Sequence, residues 1–139
     1  MIYAIYSYCP DAGIVIQDLD VDFNKARYTF ISMAPEWTRI DGGENGLNFI
    51  EIDLDTKSTL NLLNNLYTMD SDKYAYDKDM QSFLSKLFEQ PTKTFVANFL
   101  SEDVIAWLEE EKDIDGFEAL ELSNKEWDEY VKEYINTIV

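Results

Sequence analysis

An α+β fold, with an N-terminal, mostly antiparallel sheet of about four strands followed by about four helices, is what this 139-residue chain predicts. Two observations carry that expectation. Apolar residues recur with a period of two as far as Leu54 and with a period of about 3.6 beyond Leu60. Turn-forming residues punctuate the first part, at Pro10 to Gly13 and again at Pro35 and Gly42, Gly43 and Gly46. Hydrophobic residues make up 46% of the chain and aromatics 14%, enough for a packed core and unlike a disordered acidic tail. The length fits one domain that buries roughly two thirds of its unfolded surface.

Met1 to Cys9 alternates and is rich in tyrosine and isoleucine, then turns through Pro10 to Gly13 into Ile14, Val15 and Ile16, a hairpin. If that strand continues, Leu19, Val21 and Phe23 take one face and Asp18, Asp20 and Asp22 the other. Tyr28 to Met33 reads as a third strand, followed by a glycine-bearing loop. Leu47 to Leu54 reads as a fourth, with Ile50, Ile52 and Leu54 inward and Glu51, Asp53 and Asp55 outward. Leu60, Leu63, Leu66 and Tyr67 mark one helix, and Met80, Phe83, Leu84, Leu87 and Phe88 another that ends before Pro91. Thr92 to Leu100 fits either type: Phe95, Val96 and Phe99 have helical spacing, whereas the threonines favour a strand. The helices are expected to cover one face of the sheet.

The tail from Ser101 to Val139 carries thirteen acids against Lys112, Lys125 and Lys132, a net −10 within a chain total of −17. A helix from about Glu102 to Lys112, capped by Ser101, turns Val104, Ile105, Trp107 and Leu108 inward. Its last turn holds Glu109, Glu110 and Glu111, where the helix dipole favours cations, a mismatch of about 0.3–1 kcal/mol per exposed charge. In the final helix Trp127, Tyr130, Val131, Tyr134, Ile135 and Ile138 share one face, and Ser123 with Glu126 forms a capping box at its start. Glu126, Glu129 and Glu133 point away from that face, and Asp128 falls on its border.

Several chemistries lack their residues. The chain has no histidine, which removes the commonest general base and metal ligand. A lone cysteine, Cys9, excludes an internal disulfide and has no imidazole to activate it. The glycines at 42, 43 and 46 lack the lysine and hydroxyl of a phosphate-cradling loop, and Glu44 would repel phosphate. Ile14 to Asp22 resembles the strand and paired aspartates of haloacid-dehalogenase-type phosphatases. That resemblance implies a divalent-metal-dependent hydrolase with Asp18 as nucleophile and Asp20 as acid, although Asp22 stands where threonine or valine is usual. Glu111 to Gly116 resembles the first half of an EF-hand loop, with Leu122 in place of its twelfth-position glutamate. No cofactor, metal or catalytic residue is expected.

Met1 to Cys9 has neither the basic lead nor the apolar run of a secretion signal, and no stretch is long and uncharged enough to span a bilayer. A cytoplasmic protein is the expectation. A net −17 argues against direct contact with nucleic acid or membrane, whose binding rests on basic residues. It favours a basic protein partner. The expected function is that of a small acidic inhibitor, concretely an immunity protein or antitoxin for a nuclease toxin. The alternative is a phage-encoded nucleic-acid mimic that blocks a restriction or CRISPR effector. Candidate contact residues fall in two groups: Asp70, Asp72, Tyr74, Tyr76 and Asp77 between two helices, and Glu109, Glu110, Glu111, Asp113, Asp128, Glu129 and Glu133 in the tail.

Overall fold

Residues 1–40, 45–53, 57, 61, 64 and 74–139 are described by the computed structural model. They form β1 (Ile2–Cys9), β2 (Gly13–Asp20), α1 (Phe23–Ile40), β3 (Leu47–Ile52), α2 (Lys78–Phe88), β4 (Lys93–Phe99), α3 (Ser101–Lys112), α4 (Gly116–Leu120) and α5 (Asn124–Ile138). The four strands pair antiparallel in the order β2-β1-β3-β4, and with the helices they make the α+β arrangement. The expected helix around Leu60, Leu63, Leu66 and Tyr67 lies outside the described residues, as do Gly42, Gly43, Leu54 and Asp55.

The third strand is not Tyr28 to Met33. That segment is the middle of α1, and the third strand in sequence is Leu47–Ile52. Tyr28, Thr29, Phe30 and Ile31 are good strand formers, but Ala26, Phe30 and Ala34 recur every four residues and are all buried, so helical spacing outweighs local propensity. Asp22 starts the helix, accepting the Lys25 N–H at 3.1 Å. Pro35 lies within α1 rather than in a loop. The Thr38 hydroxyl donates to the carbonyls of Ala34 and Pro35 in the turn that follows.

Thr92 to Leu100 resolves as the edge strand β4 on the free side of β3. Its register slips twice, and Asn98 takes a positive φ of 49°. Those slips turn Phe95, Val96 and Phe99 toward one side, which is why their spacing imitates a helix. Gly46 belongs to the same irregularity: a Cβ there would sit 2.7 Å from the Asn98 carbonyl carbon, so only glycine permits the approach.

The sheet is covered on both faces, not one. β3 supplies the reason: Leu47 and Phe49 point to one side, Ile50 and Ile52 to the other, and all four are buried. On the first side Ile5, Leu47, Phe49, Val96 and Phe99 meet α1, α3, α4 and α5. On the second, Ile2, Ala4, Ile14, Ile16, Ile50 and Ile52 meet Tyr74 and the buried Leu84 and Phe88 of α2. Phe49 is the centre of the first layer, with ring centroids 5.9, 5.5 and 4.8 Å from Phe23, Phe30 and Phe95.

β2 contains a bulge. Ile5 pairs with Asp18 but Tyr6 pairs with Ile16, leaving Gln17 as the extra residue, so Ile14, Ile16 and Leu19 share a face despite their spacing. The strand stops at Asp20, and the alternation read onward through Phe23 does not continue. The outer edge of β2 is closed by side chains: the Ile14 N–H donates to Gln81 Oε1 at 2.7 Å and the Ile16 N–H to the Tyr74 hydroxyl at 3.1 Å.

Two outcomes follow from this packing. Phe49→Ala should lower the unfolding free energy by about 3–5 kcal/mol in urea titrations, whereas Tyr28→Ala, on a helix face 74% exposed, should change it by less than about 0.5 kcal/mol. Burial raises the phenol pKa of Tyr6 and Tyr74 above 10.0, partly offset at Tyr74 by the Ile16 N–H. A raised folded-state value means stability is intact below pH 10 and declines as pH climbs through it. Denaturation midpoints should therefore fall above about pH 10, less steeply in Tyr74→Phe.

Candidate functional site

The acidic tail folds as α3, α4 and α5 on the α1 side of the sheet. Helix α3 begins at Ser101, with Leu100 as its cap residue rather than Ser101: the Asp103 carboxylate accepts the Leu100 N–H at 2.8 Å. It ends where Asp113 enters the left-handed region at φ 55°, and the Ile114 N–H returns to the Leu108 carbonyl at 3.1 Å. The Asp115 carboxylate accepts the Glu118 N–H at 2.9 Å and starts α4. The half-loop that resembles an EF-hand is thus a joint between helices, with Asp113 and Asp115 as its stop and start.

Helix α5 has the expected capping box, Ser123 Oγ accepting from the Glu126 N–H and the Glu126 carboxylate from the Ser123 N–H, both at 3.2 Å. Trp127, Val131 and Ile135 are buried. The Trp127 indole N–H donates to the Pro35 carbonyl at 3.3 Å and to Thr38 Oγ1 at 3.2 Å, tying α5 to α1. At the other end of α5, Arg27 donates to Asn136 Oδ1 at 2.6 Å and to the Val139 carbonyl at 3.3 Å.

Five of the thirteen tail acids are occupied by internal bonds. Asp103, Asp115 and Glu126 cap helices, Asp128 meets Arg39 at 2.9 Å, and Glu133 meets Lys112 at 2.6 Å. The Glu133 carboxylate raises the Lys112 pKa, and the ammonium sits 5.6 Å from the Trp107 ring centroid. The carboxylates of Glu102, Glu109, Glu110, Glu111, Asp113, Glu118, Glu121 and Glu129 are exposed and make no hydrogen bond or ion pair with the described residues. Lys112 joins the last turn of α3 to Glu133, Glu109 lies three residues before Lys112 and Glu129 precedes Glu133 by one turn, so Glu109 and Glu129 belong to one surface.

The described members of the other expected contact group do not join that surface. Asp70 and Asp72 lie outside the described residues. Tyr74 is 2% exposed and is a core residue, its hydroxyl used on the β2 edge, so its ring is not available to a partner. Asp77 caps α2, accepting the N–H groups of Asp79 and Met80 at 3.1 and 3.0 Å. Tyr76 is 69% exposed with φ 67°, held by its own N–H to the Ala12 carbonyl at 3.0 Å. Tyr74, Tyr76 and Asp77 sit with α2, and the sheet separates them from the tail.

Of the aspartates that resemble a phosphatase pair, Asp20 has a structural bond in the chain's turn into α1. β2 is the edge strand of an antiparallel sheet, Asp20 accepts the Asp22 N–H at 2.8 Å, and Asp22 caps α1. Among the described residues, no three carboxylate, cysteine or histidine groups converge to hold a metal ion, and no helix is long and apolar enough to cross a membrane.

Sequence reading missed a groove between α1, α3, α4 and α5, of about 370 Å³, lined by Ile105, Ala119, Leu120, Leu122 and Trp127 with Thr38, Arg39, Ser101 and Asn124. Phe117 and Leu120, three residues apart on α4, are 83% and 79% exposed. That pair was a legible signal, hidden because α4 is too short for a periodic pattern to stand out. Comparison with known proteins finds no matching family model, no matching curated protein and no matching solved structure.

The tail carboxylates at the end of α3 are expected to be separable from the fold. Changing Glu109, Glu110 and Glu111 together to lysine should leave unfolding free energy unchanged or raise it by up to about 1 kcal/mol. Trp127→Ala, which removes a buried ring and its two hydrogen bonds, should cost about 3–5 kcal/mol by the same titration.

Proposed function

We propose that this chain is a small acidic inhibitor that acts in the cytoplasm by covering a basic surface of a partner protein, concretely as the immunity protein of a nuclease toxin. The observation that supports the reading is the allocation of charge on α3, α4 and α5. Eight carboxylates there stand exposed without an ion-pair or hydrogen-bond partner among the described residues, while Lys112 and Arg39 are already matched by Glu133 and Asp128. Such a surface is repelled by phosphate backbones and attracted to the lysines and arginines with which nucleases hold them. Carboxylates contribute encounter rate and selectivity more than affinity, so the holding force must come from apolar contact within the same interface.

Affinity capture from the native host, followed by stopped-flow association with the purified partner, tests the proposal. A basic partner is expected, with an association rate that falls steeply between about 50 and 500 mM salt while dissociation changes little. An association rate indifferent to salt sinks the reading. The Glu109, Glu110 and Glu111 to lysine variant should associate more slowly while keeping its stability. Capture of a DNA-processing effector from which duplex DNA displaces this chain would make it a nucleic-acid mimic rather than an immunity protein.

A further inference from the structure

The groove between α1, α3, α4 and α5 is open, and the most exposed apolar pair among the described residues borders it. Ile105, Ala119, Leu122 and Trp127 form its apolar wall, and Leu120 lines it while remaining 79% exposed. Phe117 extends the apolar strip along α4. Exposed apolar side chains that are contiguous with a cavity and rimmed by polar residues are a feature of contact surfaces.

The carboxylates around it select the occupant. On α3, Glu102 lies three residues before Ile105 and Glu109 four residues after it, which places both on the helical face of that groove residue. On α4, Glu118 and Glu121 flank Ala119 and Leu120. None of these four side-chain carboxylates has a hydrogen bond or ion pair among the described residues. Arg39, which also lines the groove, is already paired with Asp128. An uncharged segment docked here would strip water from the carboxylates without replacing it, and a second copy of the chain would bring the same acids face to face. A segment carrying lysine or arginine around a bulky apolar residue satisfies both the rim and the groove.

We propose that the groove receives a leucine-sized or aromatic side chain from a basic amphipathic segment of the partner protein, with Leu120 and Phe117 closing over that anchor. The proposal rests on the acidic-inhibitor reading for the nature of the partner and adds where that partner is held.

The test uses the full chain and a defined probe, a lysine and leucine peptide with its leucines at helical spacing, beside a control in which every leucine is alanine. Titration followed by ¹H–¹⁵N NMR should shift the Trp127 indole resonance with the leucine peptide. The Phe117→Ser, Leu120→Ser double variant should bind that peptide about tenfold more weakly at unchanged melting temperature, as expected for loss of an anchor contact. Equal binding of both peptides, unaffected by the double variant, would overturn the groove proposal. A salt-steered association with the natural partner would still leave the acidic reading standing. Dimerisation seen by sedimentation and abolished in the double variant would assign the groove to a second copy and overturn it. So would saturable binding of laurate that is lost in Arg39→Met, since the cavity would then belong to a small apolar anion.

Discussion

Burial of β3 on both faces is the constraint on which the rest of the structure depends. With Leu47 and Phe49 on one side and Ile50 and Ile52 on the other, this short strand cannot leave either face in water. Both layers of helices are consequences. α1, α3, α4 and α5 cover Phe49, and α2 with Tyr74 covers Ile50 and Ile52. The aromatic rings extend the first layer outward from Phe49 through Phe30 and Phe99 to Tyr134 and Trp107, so α5 and α3 are held through the same cluster that anchors α1.

That apolar anchorage explains how a segment of net −10 stays folded against its own repulsion. The buried faces of α3 and α5 do the holding, with Val104, Leu108, Trp127, Val131 and Ile135 in one cluster. Two half-exposed ion pairs, Arg39 with Asp128 and Lys112 with Glu133, add at most about 1 kcal/mol each. Of the carboxylates left over, Glu102 and Glu118 lie in the first turns of α3 and α4, where the helix dipole favours them, and none makes a hydrogen bond or ion pair among the described residues. In the proposed inhibitor those exposed carboxylates face the partner.

The groove gives that outward surface a second component. Charge alone speeds encounter but is screened by salt, whereas an apolar residue sunk into a cavity slows departure and is not. The joining of α4 to α3 through Asp113 and Asp115 sets Phe117 and Leu120 between those two properties. A partner segment with both features would be discriminated from one with only a basic charge.

Strongly periodic or chemically capped elements were legible before any coordinates. The β1–β2 hairpin, β3, α2, α3 and α5 follow from alternation, helical spacing and the Ser123–Glu126 box, because each of those signals is local. Charge excess and the lack of histidine were equally plain. What only the tertiary structure decided were matters of partner and face. Tyr28 to Met33 carries strand formers yet becomes helix because Ala26, Phe30 and Ala34 pack against the sheet. Phe95, Val96 and Phe99 keep helical spacing in a strand because the open edge of β3 imposes pairing and the bulged register rotates them. Tyr74 leaves the surface because its hydroxyl reaches the Ile16 N–H, 58 residues away in sequence. Both faces of the sheet, and the groove beside Trp127, exist only where distant segments meet, and spacing along the chain carries no information about which distant residue will fill the other side.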